Sequence, residues 1–223
     1  MARLAETRRE TETARTLVFE VPGWPGHLAG QHVDVRLTAE DGYAAQRSYS
    51  LSAPDRVELT VQRVPDGEVS PYLTDVLGQG DPVEIRGPVG GWFVWRPEAG
   101  RDVLLIAGGS GIAPLMAMVR ARRLAGAGTR FRLVYSTRTP EDVFYADELR
   151  RPEPGLEVAY VYTRAAPDGW PRPPGRLTAA DLGDGPPARD CFVCGPTGFV
   201  ESAADMLLAR GHDPRRIKTE RFG

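Results

Sequence analysis

The spacing of apolar and polar residues changes character near residue 99. Before that point the chain carries short stretches with the period of half-buried strands. They fall at residues 16–21, 31–37, 56–63 and 82–86, with Val33, Val35 and Leu37 alternating against polar neighbours in the second stretch and Val57, Leu59 and Val61 in the third. A short helix is predicted over 70–77, with Ser70 as its cap and Leu73, Val76 and Leu77 on one face. Short strands at this spacing predict an antiparallel barrel or sandwich. After residue 99 comes Val103-Leu104-Leu105-Ile106-Ala107, an unbroken apolar run of the kind that forms a strand buried on both faces. A helix over 112–125 follows, with Ile112, Leu115, Met116 and Val119 on its apolar face. Strands at 131–136, 156–163, 190–194 and 216–222 then alternate with helices at 144–150 and 197–210. Residues 166–175 form a Pro/Gly-rich loop. This series predicts a doubly wound parallel sheet. The expected architecture is therefore β followed by α/β, an antiparallel β-barrel over 1–98 and an α/β domain over 99–223.

Composition narrows the partners. Net charge is −2, which argues against nucleic acid. No stretch reaches the roughly 18 apolar residues of a membrane span, and residues 1–10 lack the apolar segment of a secretory signal. The expectation is a cytoplasmic protein, monomeric, with no membrane and no nucleic-acid partner. Two cysteines fall short of the roughly four thiolates an iron–sulfur cluster needs, and no metal site is expected. Lys218 is the only lysine among 28 basic residues, so phosphate contacts would fall to planar arginine forks.

Two segments carry candidate chemistry. Ala107-Gly108-Gly109-Ser110-Gly111-Ile112-Ala113-Pro114 sits between a buried strand and a helix, where glycines let backbone N–H groups approach a nucleotide phosphate. It departs from G-x-G-x-x-G in having Pro114 at the third glycine position, early in the helix where a missing N–H costs little. An ordinary tight strand–helix turn would look the same. The following strand ends in Ser136-Thr137-Arg138, without the acid that binds a ribose 2′-OH. A hydroxyl and an arginine there fit a 2′-phosphate, and Arg164 and Arg176 lie where they could join the same pocket. The other segment is Gln46-Arg47-Ser48-Tyr49-Ser50-Leu51-Ser52. On a strand, Arg47 and Tyr49 share a face, a cation beside an aromatic ring.

Arg47-x-Tyr49-Ser50 resembles the flavin-binding motif of the ferredoxin–NADP reductase family. Gly67-Glu68-Val69-Ser70, Gly87-Pro88-Val89-Gly90, Gly109-Ser110-Gly111-Ile112-Ala113-Pro114, Tyr145-Ala146-Asp147-Glu148-Leu149 and Cys194-Gly195-Pro196 extend the resemblance, in order, over nearly the whole chain. The resemblance implies a barrel that binds flavin, FAD in preference to FMN, and an α/β domain that binds NADP or NAD. It implies that Tyr49 stacks on the isoalloxazine, Ser50 reaches toward N5, and Arg47 binds the pyrophosphate. Gly67, Val69 and Ser70 would meet the same phosphates, and Gly109, Ser110 and Gly111 the nicotinamide nucleotide. Ser136, Arg138, Arg164 and Arg176 would take its 2′-phosphate side. Cys194, with Gly195 and Pro196, would line the hydride-transfer site. Phe222 would stack on the flavin's far face, or else serve as a terminal hydrophobic plug, with Glu220 nearby handling a proton. The plant-type iron–sulfur domain fused to many relatives is not expected in these residues.

Cys191 and Cys194 have C-x-x-C spacing, but on a strand the two point to opposite faces about 10 Å apart, too far for a disulfide. Cys191 reads as core. The implied activity is transfer of a hydride from NADPH or NADH to FAD, then of electrons to a separate carrier, such as a ferredoxin serving an oxygenase. A reductase of free flavin, quinone or another small acceptor, and a non-enzymatic flavin-binding regulatory subunit, are the alternatives.

Overall fold

The computed structural model describes residues 1–39, 41–185 and 189–222. Six strands, β1 (Ala2–Arg9), β2 (Ala14–Glu20), β3 (His32–Thr38), β4 (Ala44–Ser50), β5 (Val57–Gln62) and β6 (Pro82–Val89), form an antiparallel sheet in the order β4-β3-β6-β1-β2-β5. A bridge between Leu51 and Leu59 draws the two edges together into a barrel. Leu4, Leu17, Val33, Val35, Leu51, Leu59 and Val61 fill its interior.

Strand β1 was not expected. Its sequence, ARLAETRR, offers only Ala2 and Leu4 as deeply buried apolar anchors, too few to show a period. Strand β5 differs from expectation in burial. Its alternation predicts that Glu58 and Thr60 face solvent, yet Glu58 is fully buried and Thr60 nearly so, because the second domain covers that face. The helix predicted from Ser70 is a single wide turn, Tyr72–Val76, closed by the Leu77 N–H on the Tyr72 carbonyl. Ser70 does not cap it, since the Ser70 hydroxyl accepts from the Val64 N–H at 3.0 Å. The wider winding also turns Val76 out to solvent while Leu73 stays buried.

The second domain is a five-stranded parallel sheet in the order β11-β10-β7-β8-β9, made of β7 (Val103–Gly108), β8 (Phe131–Thr137), β9 (Leu156–Tyr162), β10 (Asp190–Pro196) and β11 (Ile217–Phe222). All six residues of β7 are buried, as a central strand with both faces covered requires. Helix α1 (Ile112–Leu124) packs on one face and α3 (Thr197–Ala209) on the other. Cys191 joins the α3 side and Cys194 the α1 side, both as free thiols.

Helix α1 is buried all round its first two turns, beyond the single face expected. It lies between the sheet and the barrel, where Met118 abuts Gly30 closely enough that a Cβ there would come within 2.8 Å. Helix α2 (Ala146–Leu149) is shorter than the predicted 144–150 because Tyr145 takes a left-handed conformation, φ 55°, and sends its ring into the domain seam. Phe93 and Trp95, at the barrel's exit, insert edge-on against Phe192 and Phe131, with ring centroids 5.5 and 5.0 Å apart. With Ala14 and Ala29 they belong to the same apolar core as α1 and the parallel sheet.

Candidate active site

The carboxyl ends of β7, β8 and β10 meet at the glycine turn. Gly108 closes β7 beside Ser136, and the chain then winds through Gly109, Ser110 and Gly111 into α1. Gly109 has φ +55°, a conformation that favours glycine. Gly111 is required for a different reason: a Cβ there would overlap the backbone carbonyl of Cys194. A Cβ at Gly195 would come within 2.8 Å of the Phe199 ring. These glycines bring the β7 and β10 loops into backbone contact.

A cavity of about 230 Å³ opens there, walled by Gly109, Ser110, Ser136, Arg138, Pro196 and Phe222, with Gln62 of the barrel on its far side. Arg164 joins through its backbone, its N–H donating to the Arg138 carbonyl at 2.9 Å. Arg176 follows Gly175, whose N–H is bound to the Tyr162 carbonyl at the end of β9. All three arginines are exposed, and none makes an ion pair among the described residues. Pro114 lies buried in the first turn of α1.

The barrel side presents Arg47 and Tyr49 on β4, opposite Val35 and Val33 of β3. Tyr49 is half-buried, and that burial lifts its hydroxyl to a pKa of about 12, against the pull of nearby Arg47. The Arg47 guanidinium donates to Glu68 at 3.1 Å, while the Tyr43 hydroxyl donates to the other Glu68 oxygen at 2.6 Å. Val69 is buried beneath this loop, and the Gly67 N–H is engaged by the Val64 carbonyl at 3.0 Å.

Beside Ser50 the two halves approach through a residue absent from the sequence-based candidates. His32 on β3 is the register partner of Ser50, and its Nδ1 lies 4.0 Å from Glu220 Oε1 on β11. Glu220 is in turn the register partner of Cys194. Ser50, His32, Glu220 and Cys194 thus form one line across the domain seam. Burial raises the Glu220 carboxyl to about 7; its Oε2 has no hydrogen-bond partner among the described residues, and His32 is too distant to offset the cost. Burial, followed by the charge of Glu220, pushes the Cys194 thiol well above its usual range, so it stays protonated. Pro196 and Phe222 pair two residues further along β10 and β11, and Phe222 is 38% exposed. His32 stands in an ordinary polar position of an alternating strand and gave no local signal.

A barrel bearing an aromatic–arginine strand, joined at its seam to a parallel sheet with a glycine turn, defines a two-domain oxidoreductase for flavin and a nicotinamide nucleotide. Residues 1–94 match the family model of the oxidoreductase FAD-binding domain, and residues 105–205 that of the oxidoreductase NAD-binding domain. The chain is 34% identical to the ferredoxin reductase component of 3-ketosteroid-9-alpha-monooxygenase from Mycolicibacterium smegmatis, over 98% of this chain and 64% of that one. It is 32% identical to the glycine betaine monooxygenase reductase subunit of Chromohalobacter salexigens, over 99% of this chain and 63% of the relative. The solved FAD/NAD-binding domain of a nitric oxide dioxygenase from Vibrio cholerae superimposes with a TM-score of 0.88 at 27% identity, covering 100% of this chain and 98% of that one. The chain thus carries an oxidoreductase FAD-binding domain followed by an oxidoreductase NAD-binding domain, and it shares its fold with a solved ferredoxin NADP+ reductase from Neisseria gonorrhoeae. It spans just under two thirds of the length of the curated relatives named above.

The residues present fit an FAD. Tyr49 offers an aromatic surface, Arg47 an exposed guanidinium for a diphosphate, and Glu220 a buried carboxyl oxygen without a partner among the described residues.

Proposed function

We propose that this protein is a reductase that takes a hydride from NADPH or NADH and passes electrons on to a separate carrier of ferredoxin type. Bound FAD would supply the chemistry, accepting a hydride at N5 and releasing electrons singly. The observation that carries the reading is the line Ser50–His32–Glu220–Cys194, which joins the flavin motif to the nucleotide loops across one seam. In this reading Tyr49 and Phe222 enclose the ring system. Arg47, with the loop of Gly67, Val69 and Ser70, holds the diphosphate. Ser110, Gly195 and Pro196 seat the nicotinamide end.

The exposed Arg138, Arg164 and Arg176, without an ion pair among the described residues, support NADPH over NADH, because they offer charge-assisted bonds to a 2′-phosphate at a strand end that carries no acid. The oxygenase-reductase names of the relatives support an oxygenase system as the destination of the electrons. Among the described residues no helix is long and apolar enough to cross a membrane, and the proposed working form is a cytoplasmic monomer.

Anaerobic mixing of the flavin-loaded protein with NADPH is expected to bleach the visible flavin band within seconds, and NADH to do so more slowly. A band that survives both nucleotides refutes the proposal.

A further inference from the structure

We propose that Arg120 is a positioning residue whose guanidinium ties the segment just past the flavin-motif strand, and β5 beside it, to the helix that begins at the nucleotide turn, fixing the distance between the two half-sites. The inference rests on the reductase reading above. Arg120 sits eight residues into α1, about 12 Å from its start. On one edge, its Nε and Nη2 donate to Glu148 of α2, the latter at 2.6 Å to Oε2. On the other, Nη1 crosses the seam and donates to the Ser52 carbonyl at 2.8 Å and to Glu58 Oε1 at 2.5 Å.

Ser52 lies two residues beyond Ser50. It is locked to Glu58 by its N–H on the Glu58 carbonyl at 2.8 Å and its hydroxyl on Glu58 Oε1 at 3.0 Å. Arg8 and Arg56 hold the outer oxygen of Glu58, each at 2.7 Å. The Tyr145 ring lies 4.9 Å from the Arg120 guanidinium, and the Tyr145 N–H reaches Glu10 of the barrel at 2.8 Å. Arg122 and Arg123, on the same helix, pair only with carboxylates of their own domain among the described residues.

A planar fork serves both domains at once in fixed directions, whereas an ammonium is a point charge whose three donors rotate freely. The geometry matters because reacting atoms must approach to about 3–3.5 Å, and a displacement of roughly 1 Å can cost about 100-fold in rate.

The test compares Arg120→Lys with Arg123→Gln in the FAD-loaded full chain. Three quantities are read: FAD content with reduction by dithionite, which needs only the barrel; bleaching by saturating NADPH; and hydrogen exchange across residues 144–149, which contain the seam-crossing Tyr145 amide. Arg120→Lys should keep its FAD and its dithionite reduction, bleach about 10- to 100-fold more slowly, and exchange faster at 144–149. Arg123→Gln, which loses a pair to Glu148 inside that segment, should match wild type in FAD content, dithionite reduction and bleaching. The proposal is overturned if Arg120→Lys bleaches within about twofold of wild type, if it loses FAD in parallel, or if Arg123→Gln slows as much. Should Arg120→Lys fail to fold, Arg120→Gln, which leaves Glu58 held by Arg8 and Arg56, carries the same three readouts. If wild type itself is not bleached by either nucleotide, the reductase reading fails, and exchange at 144–149 alone decides: faster in Arg120→Lys supports the tie, unchanged refutes it.

Discussion

Glu220 is a carboxyl lifted to about 7 from an ordinary 4.5 by burial, next in register to Cys194 and close to His32. A group with that value changes charge within the working range of an enzyme, so the NADPH bleaching rate should vary with pH around 7. Glu220→Gln should flatten that variation. Stability gives a second readout in the flavin-free protein. A raised folded value means the contribution is intact below pH 4.5 and is lost as pH rises through about 7. Above pH 7, Glu220→Gln should therefore be the more stable form, by on the order of 1–3 kcal/mol in urea titrations. Arg138→Ala addresses selectivity: losing one charge-assisted contact should cut the preference for NADPH over NADH about 10- to 100-fold in kcat/KM. An unchanged ratio would remove Arg138 from the phosphate site. Arg47, Tyr49 and the glycine turn were legible in sequence because each is a local pattern. His32 and Arg120 were not, because each acts on partners from distant parts of the chain, and a lone polar residue on a strand or helix reads as a solvated one.

Elements show where a period is informative and where it fails. The apolar run of β7 and the alternation of β3 led directly to the right strands. The short polar β1 leaves no trace, and the alternation of β5 reads as one-sided because its outer face is covered by residues more than 60 positions away, among them Arg120 and Tyr145. Helix α1 hid its second buried face in the same way. The glycine turn makes the sharpest prediction at this scale. Gly111 has φ −62°, which any residue can adopt, so its requirement is space alone. Gly111→Ala should force the β10 loop away, destabilising the fold by about 1–3 kcal/mol by urea denaturation and weakening nucleotide binding.

Over the whole molecule, acid stability should report on the buried seam. Burial would raise the Glu58 carboxyl, but the charges of Arg120, Arg56 and Arg8 outweigh it and hold the group at about 2. A depressed folded value contributes stability above pH 4.5 that is lost as pH falls toward 2. Denaturation midpoints measured across that window should fall in wild type. Glu58→Gln should be less stable at pH 7 by about 3–5 kcal/mol, because three guanidinium groups lose their carboxylate, and should lack this part of the acid slope.

Phe93 and Trp95 leave the barrel's last strand but dock into aromatic sockets of the other half. That arrangement governs which pieces of such a protein can be exchanged. A chimera spliced after residue 98, keeping this barrel and importing a foreign nucleotide half, would deliver a plug shaped for Phe192 and Phe131 to a surface not shaped around it. A splice placed just before Phe93 moves plug and socket together, and is the junction at which halves from different relatives should yield soluble hybrids.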